Sequence, residues 1–199
     1  AVLRPNPALE PPAFALRKTQ QVVEKEQIGR AAAELVRDGD AIALDASTTA
    51  WQVARNLKDR QELTVVTNGL FVALEFLDSP GVTVVMPGGT LWAGSASLVG
   101  DLGACILDGF HVHRGFFGAR GFTVEEGLTD TNQYEVELKQ RMMERSKEVI
   151  AIIDSSKWGQ LTFVPLSPIS QLDRVITDEA APPAMVDALR KAGIEVMLA

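Results

Sequence analysis

The chain has 199 residues, of which 46% are hydrophobic and 23% are charged, and its formal net charge is −7. This length suits one sizeable α/β domain, and the composition is ordinary for a soluble globular protein. The excess of acidic residues disfavours nucleic-acid binding by this surface, because Lys and Arg supply most of the non-specific affinity for phosphates. One cysteine, Cys105, excludes an internal disulfide, and no apolar span is long enough for a membrane helix. We therefore expect a cytoplasmic protein that does not enter a membrane.

The first part of the chain is rich in proline, with Pro5, Pro7, Pro11 and Pro12 close together. Proline fixes φ and removes a backbone donor, which favours an extended linker over a folded core. We therefore predict that residues 1–23 are a linker and lead-in, and that residues 24–199 form the folded domain. A chain that begins on such a linker also suggests that another segment precedes it.

From residue 24 onward, predicted helices and strands alternate. Apolar residues at helical spacing predict helices from about Glu24 to Val36, after Thr49, after Gly69, from about Tyr134 to Ser146 and from about Pro183. Short apolar runs predict strands at Ala41 to Leu44, Leu63 to Thr67, Val82 to Met86, Arg114 to Ala119, Glu148 to Asp154, Arg174 to Thr177 and Glu195 to Leu198. This alternation predicts an α/β fold with an open, mostly parallel sheet and helices on both faces.

The first predicted strand leads into a turn rich in hydroxyl groups. Asp45 ends the strand, and Ser47, Thr48 and Thr49 follow directly before a helical pattern. The start of a helix leaves backbone N–H groups unpaired and carries the positive end of the helix dipole. With three hydroxyls beside them, these groups form a natural seat for an anion such as a phosphate. The alternative is that Ser47 serves only as a helix N-cap.

Small and polar residues also follow other predicted strands. The carboxyl ends of parallel strands share one rim of an open sheet, and ligands bind at that rim. Ordinary turn chemistry explains any one of these loops, but five loops on one rim predict a shared ligand site. The five loops are Asp45-Ala46-Ser47, Thr67-Asn68-Gly69, Gly88-Gly89, Gly118 to Gly121, and Asp154 to Lys157.

These and other motifs, in this order, resemble the C-terminal sensor domain of the DeoR family of bacterial transcriptional regulators. The motifs are Glu24 to Gly29, Leu44 to Thr49, Val66-Thr67-Asn68, Gly88-Gly89, Gly127-Leu128-Thr129, Glu135, Lys139, Asp154 to Gly159 and Val175 to Asp178. They cover nearly the whole chain, and no single one would suffice. The resemblance implies a fold similar to ribose-5-phosphate isomerase and a phosphorylated sugar or sugar-derived metabolite as ligand. It also implies that operator DNA is reached only through a preceding winged helix-turn-helix domain, which is absent from this chain.

The resemblance assigns roles to residues of the predicted rim. Ser47, Thr48 and Thr49 would hold the phosphate, and Lys139 and Lys157 would supply positive charge. The remaining residues of the predicted site either surround the sugar, as Asp45, Asn68, Arg120 and Glu135 would, or lie in the rim loops, as Thr67, Gly88, Gly89, Gly118 and Gly121 do. Arg120 departs from the family pattern, which usually has a polar or acidic residue between Ala119 and Gly121. It either adds a second anion contact or points to solvent.

The alternative function is an active sugar-phosphate isomerase. Moving a proton along a sugar requires a positioned base, which is usually a carboxylate. Where the isomerase has three carboxylates, the resemblance places Phe117, Arg120 and Lys139 in this chain. The phosphate loop therefore remains while the base is lost, and we predict a sensor and not an enzyme. Glu135 and Glu137 are near enough in sequence to keep the alternative open.

Other residues that attract attention have simpler explanations. His111 and His113 lack an obvious third metal ligand, and no glycine-rich nucleotide motif is present, so we predict no metal and no cofactor. Glu135 and Lys139 are four residues apart, so the alternative to a ligand-binding role is an ion pair on a helix surface. We expect Cys105 to be a buried small hydrophobe. Trp158 either packs in the core or covers a sugar face.

The expected assembly follows from the resemblance. Two DNA-binding heads on two half-sites require at least two subunits, so we expect a homodimer or a homotetramer. Family members are mostly repressors that their metabolite relieves, and the resemblance implies the same direction of response here.

Overall fold

The computed structural model describes residues 14–199, so most of the predicted linker lies outside the described residues. The helices are α1 (Phe14–Lys18), α2 (Val22–Glu34), α3 (Thr48–Arg55), α4 (Leu70–Leu74), α5 (Asp101–Leu107), α6 (Gln133–Glu144) and α7 (Pro183–Lys191). No helix in this range is both long enough and apolar enough to cross a membrane.

The strands of the main sheet are β1 (Ala41–Leu44), β2 (Leu63–Thr67), β3 (Val82–Val85), β6 (Val112–Phe117), β9 (Ser146–Ile152), β11 (Arg174–Thr177) and β12 (Glu195–Leu198). They lie in the order β12-β11-β9-β6-β1-β2-β3, and each neighbouring pair is parallel. From β1 the chain proceeds toward one edge of the sheet, and from β6 toward the other. This reversal leaves a crevice beyond the carboxyl ends of β1 and β6, where such sheets bind ligands.

Both faces of the main sheet are buried, as the predicted α/β fold requires. Successive residues of one strand enter different cores: Phe116 of β6 belongs to the core that contains α2 and α3, and Phe117 to the core that contains α6 and α7. Ile150 and Ala151 of β9 divide in the same way. Such strands appear in sequence as continuous apolar runs, because side chains on both faces are covered. The predicted fold class is therefore confirmed.

Two small antiparallel sheets and the helices α1 and α5 were not predicted. β4 (Thr90–Trp92) pairs with β5 (Ser97–Val99), and the order β10-β8-β7 joins β7 (Gly121–Thr123), β8 (Gly127–Asp130) and β10 (Val164–Ser167). Each of these strands has only three or four residues. That is too short for an alternating pattern to stand out from ordinary turn sequence.

The described part of the predicted lead-in is helical. Phe14 is buried and its ring stacks on Phe71 with centroids 4.5 Å apart, while Trp51 meets it edge-on at 6.4 Å. The backbone N–H of Phe14 also donates to Gly94 O at 3.1 Å. The segment from Phe14 is thus packed against the domain, whereas composition had indicated only an extended connection up to residue 23.

The expectation for Cys105 was wrong, because this residue is exposed. On α5 the buried positions are Gly103 and Leu107, four residues apart, and a residue midway between them faces the opposite side of the helix. Of the two alternatives for Trp158, the structure supports packing in the core. Its indole N–H donates to Thr177 Oγ1 at 3.1 Å, and its ring is buried against Phe122.

Candidate functional site

A polar cleft lies beyond the carboxyl ends of β1 and β6. The loop after β1 and the first turn of α3 form one wall, the loop after β6 forms the floor, and α6 and the loop after β9 close the remaining sides. Side chains from α1 and α2 reach the same space from above the rim. The polar and charged lining comprises Arg17, Gln20, Lys25, Ser47, Thr48, Thr49, Arg120, Asp130, Glu135, Lys139, Asp154 and Lys157.

The first turn of α3 faces the cleft with its backbone donors. Ser47 has extended backbone angles and accepts a hydrogen bond from Ala50 N at 3.0 Å, so it is the N-cap that the sequence allowed. Thr48 and Thr49 are the first two residues of the helix, and both are almost fully buried at the edge of the cleft. The N-cap and the anion seat are therefore compatible, because one cap satisfies only one of the unpaired N–H groups.

Asp45 lies beneath the cleft and organises its floor. One carboxylate oxygen accepts from Ser47 N at 3.0 Å, and the other accepts from Gly118 N at 2.9 Å. Lys139 Nζ lies 3.0 Å from this second oxygen, and it also donates to Asp130 Oδ2 at 2.8 Å and to Gly118 O at 3.0 Å. Asp45 is fully buried, so it positions the loops after β1 and β6 and does not line the cleft itself.

Charge pairing decides the protonation of this buried cluster. Burial alone would lower the pKa of Lys139, but the adjacent carboxylates of Asp130, Asp45 and Glu135 hold it well above its usual value. Burial would likewise raise the pKa of Asp130, but the ammonium of Lys139 keeps it below its usual value. Both partners are therefore ionised near neutral pH. Because Lys139 and Glu135 are both buried, the alternative of a helix-surface ion pair does not apply.

The described lining carries more positive than negative charge. Five basic side chains, Arg17, Lys25, Arg120, Lys139 and Lys157, face three carboxylates, Asp130, Glu135 and Asp154. Arg120 lies in the cleft with its side chain 16% exposed and its Nε 3.8 Å from Asp130 Oδ1, so it does not point to solvent. The whole chain has a net charge of −7, so this positive cleft differs in sign from the rest of the molecule. Such a site concentrates anions.

Two of the basic groups are held in the cleft at a desolvation cost. Burial lowers the pKa of Lys25 to about 8, although the charge of Asp154 opposes the shift. Burial, together with the neighbouring Arg120 cation, lowers the pKa of Arg17 to about 10. A buried cation whose pKa is depressed gains when an anion arrives beside it.

The depressed pKa of Lys25 predicts a specific pH dependence of stability. Below about pH 8 the ammonium is charged in the folded and unfolded states, and its destabilising effect is fully present. As the pH rises through about 8 toward 10.5, the folded protein releases this proton first and becomes more stable. Relative to Lys25→Met, we expect the native protein to gain roughly 1–3 kcal/mol over that range. Urea unfolding at a series of pH values measures this difference, and parallel profiles for the two proteins would contradict it.

The structure brings together only part of the predicted site. Ser47, Thr48, Thr49, Gly118, Arg120, Glu135, Lys139 and Lys157 line one cleft. The predicted residues outside the lining have structural contacts instead, and they are Asp45, Thr67, Asn68, Gly88, Gly89 and Gly121.

These outlying residues support neighbouring loops. Thr67 Oγ1 accepts from Gly69 N at 3.1 Å, and the side-chain amide of Asn68 donates to Leu98 O at 3.3 Å, which joins β2 to the β4–β5 hairpin. Gly89, with φ at +132°, leaves no room for a side chain because a Cβ would lie 2.4 Å from Val99 O. Gly121 similarly lies against Gln160 O.

Sequence reasoning missed five polar or charged residues of the lining, which are Arg17, Gln20, Lys25, Asp130 and Asp154. Asp130 ends the short strand β8, and Asp154 belongs to a predicted rim loop in which only Lys157 was selected. Arg17 and Lys25 come from helices before the first strand. The rule that ligands meet strand ends gives no reason to place such residues at the rim, and only the packing of α1 and α2 against α3 brings them there.

Each carboxylate of the cleft has a partner among residues 14–199, although Asp154 Oδ2 makes no hydrogen bond there and lies 3.5 Å from Lys157 Nζ. Asp130 pairs with Lys139, Glu135 Oε1 accepts from Ser97 Oγ at 2.9 Å, and Asp154 Oδ1 accepts from Ser156 N at 3.1 Å. Proton abstraction from a sugar needs a carboxylate that is free to take a proton at the operating pH. A carboxylate whose pKa is held low by an ammonium, as in Asp130, is a weak base. The arrangement favours binding of an anion over its conversion.

A polar cleft at the reversal point of a parallel sheet is typical of α/β ligand-binding domains. The family model of the DeoR C-terminal sensor domain matches residues 20–179. The chain therefore belongs to the DeoR C-terminal sensor domain family. It is a ligand-sensing domain of a transcriptional regulator and not a catalytic domain.

Curated relatives agree with this assignment. An uncharacterized HTH-type transcriptional regulator of Bacillus subtilis (strain 168), YulB, is 40% identical over 183 residues, which cover 92% of this chain and 70% of the relative. The regulator GolR of Listeria innocua is 38% identical, over 94% of this chain and 73% of the relative. The glycerol-3-phosphate regulon repressor of Escherichia coli (strain K12) is 30% identical, over 92% and 72% respectively.

Solved structures share the fold at low sequence identity. A D-ribose-5-phosphate isomerase in complex with phospho-erythronic acid has a TM-score of 0.51 and 13% identity, covering 67% of this chain and 52% of the isomerase. The eIF2B delta protein of Chaetomium thermophilum has a TM-score of 0.58 and 12% identity, covering 81% of this chain and 57% of that protein. This chain thus spans little more than half of either protein, and the likeness concerns the fold alone.

Proposed function

We propose that this sensor domain binds a phosphorylated sugar or a related phosphorylated metabolite in the cleft beyond the carboxyl ends of β1 and β6. The observation that carries the proposal is the clustering of five basic side chains around the first turn of α3, within a chain of net charge −7. Unpaired N–H groups at a helix start and flexible cations are the usual partners of a phosphate. The name of one relative, the glycerol-3-phosphate regulon repressor, supports a phosphorylated polyol or sugar as the class of ligand.

We propose that different residues of the cleft bind the phosphate and the sugar. In this proposal Thr48, Thr49 and Lys157 contact the phosphate, and Arg120 and Glu135, which line the same cleft, contact hydroxyl groups of the sugar. The fixed polar groups below them, built on Asp45 and Lys139, keep the two loops at a constant separation.

We propose further that ligand binding controls DNA binding by a winged helix-turn-helix domain joined ahead of this chain, in a bacterial cytoplasm. Two such heads on two half-sites require a homodimer or a homotetramer. The coupling between ligand and operator would be about 1–3 kcal/mol, which is the usual range for regulatory proteins.

A thermal-shift panel of phosphorylated sugars tests the proposed ligand class. A ligand that binds only the folded state at about 100 times its Kd contributes about 2.7 kcal/mol, which corresponds to about 5–10 °C for a domain of this size. We expect at least one compound to give such a shift. We expect Thr48→Ala and Lys157→Ala to reduce it strongly, because each removes a partner of the phosphate.

Lys191→Ala provides the matched control, because Lys191 is an exposed lysine on α7, outside the cleft. Its thermal shift should equal that of the native protein. An undiminished shift in Thr48→Ala and Lys157→Ala would remove the site assignment. An isomerase assay on the stabilising compound should show no turnover, and a measurable rate would favour catalysis over sensing.

A further inference from the structure

Lys25, on α2, contacts both the cleft and the end of α1. Its ammonium donates to Arg17 O at 3.0 Å and to Gln20 O at 2.6 Å, the carbonyls at the end of α1 and in the turn that follows. The residue is only 4% exposed, and its side chain forms part of the cleft wall. The same cation therefore faces a candidate anion site on one side and the end of a helix on the other.

α1 also contacts the domain through other side chains, and Lys18 Nζ lies 4.2 Å from the centroid of the Trp51 ring. The start of α1 is held by Phe14 through the ring contacts with Phe71 and Trp51 and the backbone bond to Gly94. Its outer face is open, and Leu16 is 54% exposed. A five-residue helix is not stable by itself, so its position depends on the contacts at its two ends.

We propose that Lys25 and Arg17 are anion-binding residues of the cleft, and that an anion bound to them holds α1 against the sensor domain. The inference rests on the proposed phosphate-binding function. It extends that function to α1 and the start of α2, which precede the first strand and are not part of the loops at the strand ends.

The chemistry of the two side chains supports this direction of coupling. An ammonium has three donors. Within residues 14–199 the ammonium of Lys25 donates to two acceptors, Arg17 O and Gln20 O, and both belong to the segment that it holds. The third donor is available to an anion in the cleft without release of α1. The Arg17 guanidinium enters the same cleft from α1 itself, so an anion contacts this segment directly through Arg17 and indirectly through Lys25.

Thermodynamic reciprocity then links the two events. If an anion favours the docked position of α1, docking of α1 must strengthen anion binding by the same factor. Because the preceding chain enters the domain through α1, occupancy of the cleft is transmitted to that chain as a change in how firmly its attachment point is held. No rearrangement of the sheet is needed for this.

Hydrogen exchange of the native protein, with and without saturating inorganic phosphate, tests the inference. The amides of Thr19, Gln20 and Lys25 report on the end of α1 and the start of α2. We expect phosphate to slow their exchange by about fivefold or more, the lower end of regulatory coupling. Binding itself is followed separately by the thermal shift.

Lys25→Met removes the ammonium and keeps most of the apolar stem. In this variant we expect phosphate to change the exchange rates of the same amides by less than about twofold. Arg30→Met is the matched control, because Arg30 is an exposed cation on the same helix, outside the cleft, and it should behave as the native protein. The measurement on the native protein stands by itself if Lys25→Met does not fold.

The outcomes separate this inference from the proposed function. Slower exchange in the native protein and in Arg30→Met, but not in Lys25→Met, supports the coupling. A thermal shift with phosphate but unchanged exchange of α1 overturns the coupling and leaves phosphate binding intact. Equal slowing in Lys25→Met also overturns it. Absence of any phosphate binding overturns both.

Discussion

Replacing Lys139 by methionine is expected to lower the free energy of unfolding by about 3–5 kcal/mol. The ammonium is the shared partner of two buried carboxylates, Asp45 Oδ2 at 3.0 Å and Asp130 Oδ2 at 2.8 Å, and it also donates to Gly118 O. Methionine fills most of the volume but leaves both carboxylates without their cation in a site of low polarity. Breaking a buried ion pair from one side costs more than the pair contributes, because the remaining charge stays desolvated. Urea unfolding monitored by circular dichroism measures the change.

Lys147→Met is the matched control for this substitution. Lys147 lies on β9 and is exposed, so the same chemical change there should alter stability by no more than about 0.5 kcal/mol. A loss below about 1 kcal/mol in Lys139→Met would show that Asp45 and Asp130 find other partners. The description of Lys139 as the centre of the cleft floor would then be wrong.

Sequence patterns predicted the main sheet well, because its strands are buried on both faces and consist of continuous apolar runs. Arg174–Thr177 and Glu195–Leu198 were predicted with the observed bounds, and the first two strands likewise. The small strands β4, β5, β7, β8 and β10 escaped prediction. They depend on pairing with another short strand rather than on their own composition, as when Gly121 pairs with Thr129.

Sequence reasoning identified the residues that follow strands, but it could not tell which of those strands lie next to the cleft. Ser47 and Gly118 follow β1 and β6, which pair directly, so their loops meet at the cleft. Asn68 follows β2 and Gly88 follows β3, on the side of β1 away from β6. A single chain shows which residues end strands, but it does not show which strands are neighbours. Lys25 could not be assigned for a related reason, since its place in the cleft arises from helix packing.

The likeness to an isomerase fold is instructive because binding and catalysis place different demands on a site. Holding a phosphorylated sugar requires donors and cations at the sheet rim, and these are supplied here by the start of α3 and by residues such as Lys157. Catalysis requires in addition a carboxylate that remains unpaired and poised to accept a proton. Lys139 engages the carboxylates of the floor, and this makes them structural. A scaffold with these features can report on a sugar phosphate without consuming it.

Gly118→Ala is expected to weaken binding of the stabilising sugar phosphate by at least about tenfold, which corresponds to about 1.4 kcal/mol. A Cβ at this position would lie 2.6 Å from both Cβ and Oγ of Ser47, so the N-cap of α3 must shift. Gly118 also contacts Asp45 through its N–H and Lys139 through its carbonyl, which leaves its own backbone little freedom to yield. Isothermal titration calorimetry on the folded variant measures the loss.

Gly88→Ala makes the same chemical change at another predicted site residue and serves as the control. Its Cβ would meet nothing nearer than Ile106 Cδ1 at 4.0 Å, and the position lies outside the cleft lining. We therefore expect its affinity to stay within about twofold of the native value, well below one tenfold step. If Gly88→Ala weakened binding as much as Gly118→Ala did, the ligand would extend to the end of β3, and the broader site predicted from strand ends would replace the cleft described here. If neither substitution weakened binding, the seat at the start of α3 would be wrong, because no ligand at that seat can tolerate displacement of Ser47.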